Sequence, residues 1–116
     1  MTLRTVSPEK ARDMLSEGAI LVDIRDPDEH ARERIAAARS LPLSTLEQAD
    51  LELHRGKPVI FHCRSGQRTQ MNATKLKACA GEDCEAFVVE GGLDAWRGIV
   101  EETEPIELMQ VNRLAV

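Results

Sequence analysis

Residues 59 to 69 read Val-Ile-Phe-His-Cys-Arg-Ser-Gly-Gln-Arg-Thr: an apolar run stops at Cys63, and a short loop with Gly66 and two arginines leads into a helical pattern. A cysteine at the C-terminal end of a strand, with a helix starting a few residues later, sits where backbone N–H groups converge on an anion and the helix dipole is positive. The pattern predicts a thiolate that acts as a nucleophile near neutral pH. The N–H groups of residues 64 to 68 would form a ring around the reacting atoms, which makes Arg64, Ser65, Gly66, Gln67 and Arg68 the candidate binding residues. Gly66 would let the backbone take a positive φ and approach the ligand closely.

Charge is distributed unevenly around this loop. The chain carries 20 Asp and Glu against 15 Lys and Arg, yet no acidic residue falls between Leu53 and Gly81, where Arg55, Lys57, Arg64, Arg68, Lys75 and Lys77 all lie. A positive local field would hold the thiolate charged and draw in a small anionic substrate. Arg68 has two uses at this level, pairing with the anionic end of a donor or with a carboxylate such as Asp23 or Glu29. His62 adjoins the nucleophile but alternates with it in the strand, so it should point away and serve as a structural histidine. Asp23, near the same rim, reads as a cap or the partner of an arginine. Trp96 reads chiefly as a core residue, with a place in the wall beside the site together with Gly91 and Gly92. Cys79 and Cys84 read as bystanders.

These residues need a scaffold, and 116 residues suffice for one small domain with a single core. An apolar share of 42% with 30% charged residues is that of a globular chain rather than a disordered one. A net charge of −5 without basic–aromatic interleaving argues against a nucleic-acid partner. No apolar run reaches the roughly 18 residues of a membrane span, and the N-terminus lacks the plan of a signal peptide, so a cytoplasmic chain is expected. Three cysteines without a Cys-x-x-Cys pair fit free thiols in a reducing compartment. His30, His54 and His62 show no paired ligand spacing, and neither a metal nor another cofactor is implied.

Strands and helices alternate along the chain. Ser7-Pro8 opens a helix with Ala11, Met14 and Leu15 on its apolar face, and Gly18 stops it. Ile20 to Ile24 reads as a doubly buried strand, because its apolar run is continuous rather than alternating. Asp26-Pro27-Asp28-Glu29 has capping-box spacing, Ser44 to Glu47 begins another helix, and Ala38 to Leu43 can make a brief strand between them. Pro58 to His62 is a strand, Gln67 to about Ala80 a helix with Met71, Ala73, Leu76 and Ala80 available for packing, and Ala86 to Val89 a further strand. A helix carrying Leu93 and Trp96 follows Gly91-Gly92. The alternation predicts an α/β fold, a central parallel sheet of about five strands with helices on both faces and ligands at the C-terminal strand ends.

Three motifs then resemble one family. Asp23-Ile24-Arg25-Asp26-x-x-Glu29, Cys63-Arg64-Ser65-Gly66-Gln67-Arg68-Thr69 and Gly91-Gly92-Leu93-Asp94-Ala95-Trp96, in this order and at these separations, are similar to a single-domain rhodanese over about residues 3 to 100. Thr69 stands where serine is common, and Glu33-Arg34-Ile35-Ala36-Ala37-Ala38 stands where the family usually has Gly-His-Ile-Pro-Gly-Ala. The resemblance implies a rhodanese-like fold and a thiosulfate sulfurtransferase. Cys63 would take the outer sulfur of thiosulfate or another small anionic donor, carry it as a persulfide and pass it to cyanide or a thiol. Asp23, Arg25, Thr69 and Trp96 would then support the site.

Two other functions compete with this one. A cysteine phosphatase uses a similar strand–Cys–loop–Arg–helix device but needs five residues between Cys and Arg for its roomier ring. Here four separate Cys63 from Arg68, and Thr69 takes the phosphatase arginine's position. An arsenate reductase is disfavoured on the same ground. A non-catalytic regulatory module would commonly lack the cysteine. Beyond Pro105, Ile106, Leu108, Met109, Val111, Leu114 and Val116 form an apolar segment, so the chain divides into a domain over 1–104 and a tail over 105–116. The tail reads either as the start of a membrane tether, which would place the domain at the cytoplasmic face of the inner membrane, or as a helix docked on the domain or a second copy.

Overall fold

The computed structural model describes residues 3–48, 56–81 and 84–103. Five strands make one sheet: β1 (Arg4–Val6), β2 (Ile20–Asp23), β3 (Arg39–Ser40), β4 (Val59–His62) and β5 (Ala86–Val89), in the spatial order β1-β5-β4-β2-β3. Every pairing is parallel, with Leu21 opposite Ile60 and Ile60 opposite Phe87 across the centre. Parallel neighbours need crossovers, and these are supplied by α1 (Pro8–Ser16), α2 (Pro27–Arg32), a 3-10 helix (Leu43–Gln48), α3 (Gln67–Met71) and α4 (Ala73–Ala80). The last helix, α5 (Gly92–Thr103), follows β5.

Local chemistry accounts for the helix starts. The Ser7 hydroxyl accepts the Lys10 N–H at 3.0 Å, with Pro8 in the first turn of α1. The Asp26 N–H donates to the Glu29 carboxylate at 3.1 Å at the start of α2. The strands β4 and β5 are buried throughout, and alternate residues serve the two faces. Val22, Ile24, Phe61, Cys63, Leu76 and Val88 pack on one side, where α4 lies. Ala11, Met14, Leu21, Ile60, Val89, Leu93 and Trp96 pack on the other, under α1 and α5. Among the described residues no helix is long and apolar enough to cross a membrane.

One strand goes unread in the sequence, and some local expectations need correction. The edge strand β1, three residues long and half-buried at best, has no periodicity to read and is held by its pairing with β5. The helix expected over Gln67–Ala80 is interrupted at Asn72, whose side-chain amide donates to the Arg68 carbonyl at 2.8 Å. Its N–H divides between the carbonyls of Arg68 and Thr69, so the side chain competes with the helical ladder. The break leaves Met71 78% exposed instead of packed. The segment from Leu43 tightens into a 3-10 helix, and the strand before it shrinks to two residues. The boundary at residue 104 and the apolar tail lie outside the described residues.

Candidate active site

Pleating sends Cys63 to the same side as Val59 and Phe61, and sends His62 to the other with Ile60. The Cys63 side chain ends up 1% exposed at the C-terminal end of the sheet. The chain then turns back at Gly66, whose φ of 98° is one that a side chain resists, and the Gly66 N–H donates to Cys63 Sγ at 3.1 Å. Thr69 closes this turn: its hydroxyl donates to the Gly66 carbonyl at 2.8 Å and lies 3.9 Å from Sγ. Arg64, Ser65 and Gln67 are exposed around the mouth.

The loop is clamped from behind by α5. The Leu93 N–H donates to the Cys63 carbonyl at 2.9 Å and the Asp94 N–H to the Arg64 carbonyl at 3.0 Å. Two of the amides left without intrahelical partners at the start of α5 therefore hold the peptide units on either side of the Arg64 Cα, directly after the nucleophile. This approach requires Gly92, because a Cβ there would lie 2.5 Å from the Arg64 carbonyl oxygen and 2.6 Å from that of Cys63. The glycine pair was legible in the sequence as a wall, but not as the clasp on the loop. Trp96, by contrast, is buried in the cluster on the face away from Cys63, so it supports the core under α1 and not the wall of the site.

Both loop arginines are met by carboxylates. Arg68 makes two bonds to Glu29, Nη1 to Oε1 at 2.8 Å and Nη2 to Oε2 at 3.0 Å. This pairing draws the Glu29 carboxyl down to about 2 and raises the Arg68 guanidinium further. Of the two uses open to Arg68 in the sequence, the structure shows the carboxylate pair. Arg64 leans toward Asp94 on α5, 3.5 Å away. Arg97, one turn further along, reaches both Asp94 at 3.6 Å and Glu33 after α2. Glu33 occupies the position where a glycine is usual.

On the far side of β4 lies a buried polar cluster. Asp23 accepts from the Arg25 backbone N–H and Nε at 2.9 Å each and from Nη2 at 2.8 Å, and His30 Nδ1 stands 2.8 Å from Asp23 Oδ2. Burial pushes the Asp23 carboxyl up, but the hydrogen bonds from Arg25 and His30 outweigh it and hold it at about 2. Arg25 Nη2 also donates to the Glu33 carbonyl at 2.5 Å, so Arg25 ties β2 to the chain beyond α2. His62 is fully buried; its Nδ1 bonds the Cys63 carbonyl at 3.0 Å, and burial lowers its pKa so that the ring stays neutral. Asp23 and Arg25 thus form a buried pair that ties β2 to the chain beyond α2, and among the described residues no hydrogen bond joins either side chain to Sγ.

Residues 7–99 match the family described as the rhodanese-like domain. The thiosulfate sulfurtransferase GlpE of Ectopseudomonas mendocina is 33% identical over 95 residues, covering 81% of this chain and 84% of that protein. An uncharacterized protein of Synechocystis sp. is 32% identical over 112 residues, which are 91% of this chain, and the chain spans 62% of that relative's length. The crystal structure of a thiosulfate sulfurtransferase from Pseudomonas aeruginosa is 25% identical and superposes with a TM-score of 0.71 over 83% of this chain and 18% of that one.

Proposed function

The chain belongs to the rhodanese-like family, and we propose that it moves a sulfane sulfur from thiosulfate or a related donor to cyanide or a thiol through a persulfide on Cys63. The observation that carries this reading is the Gly66 N–H directed at Cys63 Sγ at 3.1 Å inside a loop only four residues wide. An N–H aimed at sulfur favours the anion, and the same group stays in place when charge moves to a terminal sulfur one bond further out.

The chemistry divides into two displacements. The Cys63 thiolate attacks the outer sulfur of thiosulfate; an Sγ–S bond forms, the S–S bond breaks, and its electron pair leaves with sulfite. Cyanide or a thiolate then attacks the terminal sulfur and restores the Cys63 thiolate, giving thiocyanate or a new persulfide. The protein's part is to present Sγ, stabilise its charge through the Gly66 N–H and keep bulk water away from a residue that is 1% exposed. A cysteine phosphatase is a poorer reading, since Arg68 is bound to Glu29 and Thr69 stands at the next position. Three cysteines without a Cys-x-x-Cys pair fit work in a reducing compartment such as the cytoplasm.

The test is intact-protein mass. With thiosulfate alone the protein gains one sulfur atom on the peptide containing Cys63 and loses it on addition of cyanide or dithiothreitol. Cys63→Ala abolishes both the gain and the turnover. Turnover in Cys63→Ala, or thiocyanate made by a wild-type protein that never gains sulfur, overturns the mechanism.

A further inference from the structure

His62 is fully buried, and only one of its ring nitrogens is in use. Nδ1 stands 3.0 Å from the Cys63 carbonyl oxygen. A carbonyl carries no hydrogen, so Nδ1 is the protonated nitrogen, and in a neutral ring Nε2 holds a bare lone pair. Nε2 is buried without a hydrogen-bond partner among the described residues, 4.0 Å from Asp23 Oδ1. Two acceptors that face each other make no bond, so the Cys63 carbonyl is what fixes this ring. Asp23, Arg25 and His30 are the charged or titratable groups around it.

The same carbonyl has a second donor. The Leu93 N–H reaches it at 2.9 Å, and Leu93, like His62, lies on the face of the sheet away from the sulfur. Both lone pairs of the Cys63 oxygen are therefore drawn to that face. The peptide to Arg64 is trans, and in a planar trans peptide the N–H points opposite to the C=O. The Arg64 N–H is thus turned to the face on which Sγ stands, and it has no acceptor among the described residues.

Resting on the sulfurtransfer reading above, we propose that His62 is a positioning residue for the reaction. Its Nδ1–H, acting with the Leu93 N–H, fixes the Cys63–Arg64 peptide so that the Arg64 N–H faces the negative charge on Sγ and then on the terminal sulfur. Without His62, Leu93 alone holds the carbonyl, and a rotation of the peptide brings the negative end of its dipole toward the thiolate. His62 touches neither the sulfur nor the donor and moves no proton. Its place directly before the nucleophile follows from the strand: a side chain on the far face of β4 is the one within reach of the next residue's carbonyl from behind.

The experiment has a wild-type arm and a variant arm. Nitrogen NMR of the wild-type protein near neutral pH should show a neutral His62 ring with its proton on Nδ1, and a proton on Nε2 overturns the proposal even if every variant fails to fold. Among the variants, His62→Asn keeps an amide nitrogen where Nδ1 stood, His62→Gln places its amide where Nε2 stood, and His62→Leu has no donor. The pH dependence of iodoacetamide alkylation, read on the Cys63 peptide, gives the titration midpoint of the thiol. The midpoint should rise by about half a unit or more in His62→Leu and His62→Gln and stay near wild type in His62→Asn. The rate of sulfur loading from thiosulfate should fall about fivefold or more in the first two and stay within about twofold in His62→Asn. Losses as large in His62→Asn as in His62→Leu, or a wild-type midpoint and rate in His62→Leu, overturn the proposal while leaving sulfurtransfer intact. A wild-type protein that takes up no sulfur overturns the functional reading instead, and the ring tautomer and the alkylation midpoints then still decide whether His62 positions the Cys63 peptide.

Discussion

Gly92→Ala tests the clasp between α5 and the Cys63 loop. Gly92 has a φ of 62°, and an added Cβ would stand 2.5 Å from the Arg64 carbonyl oxygen and 2.6 Å from that of Cys63. All of these neighbours are backbone, so none can rotate aside, and the helix start must move off the loop. Left-handed backbone at an alanine costs about 1–2 kcal/mol. The displaced start also weakens the Leu93 and Asp94 N–H bonds to the carbonyls of Cys63 and Arg64, each contributing about 0.5–1.5 kcal/mol net. The sum is a loss of about 2–5 kcal/mol, which an ordinary domain of this size survives folded. Urea unfolding of the variant and of wild type measures it, and Cys63 alkylation by iodoacetamide reports whether the loop has shifted. Gly98→Ala is the internal control. Gly98 lies within α5, where an added Cβ would meet no atom within 4 Å, and alanine there should stabilise by about 0.5–1 kcal/mol. A Gly92→Ala protein within about 0.5 kcal/mol of wild type, with unchanged alkylation, refutes the clasp.

Other expectations follow from the ion pairs and the loop width. A double-mutant cycle of Glu29→Ala and Arg68→Ala should give a coupling of about 1 kcal/mol, kept modest because the Arg68 side chain is 35% exposed; a coupling near zero denies the pair. Stability should fall in two stages on acidification. His62 is held neutral by burial, so the unfolded chain takes up its proton first and stability declines as pH drops below about 6.5. Asp23 and Glu29, both at about 2 in the fold, contribute stability above the ordinary carboxyl range that is lost between about pH 4 and pH 2. His62→Gln should remove the first stage in a pH series of urea midpoints, and its persistence would assign that stage elsewhere. Hydrolysis of an aryl phosphate should be negligible, and robust turnover that disappears in Cys63→Ser would restore the phosphatase reading.

What the sequence determined by itself is local. Ile20–Asp23, Val59–His62 and Ala86–Val89 are continuous apolar runs that only a doubly covered parallel sheet accommodates, and Ser7-Pro8 and Asp26 to Glu29 announce their helices through hydrogen bonds spanning three residues. The Cys63 loop was equally legible, because a cysteine, a glycine and two arginines at the end of such a run have few other uses. The tertiary structure decided the rest. Arg68 and Glu29 are 39 residues apart and Arg64 and Asp94 are 30 apart, so which cation faces the sulfur depends on how β2, β4 and α5 are placed side by side. A window free of acidic residues in the sequence is not free of them in space. The same holds for Trp96, whose face of the sheet follows from where α5 packs, for β1, which has no signal apart from its neighbour, and for Gly92, whose need for glycine arises only from a carbonyl 28 residues earlier in the chain.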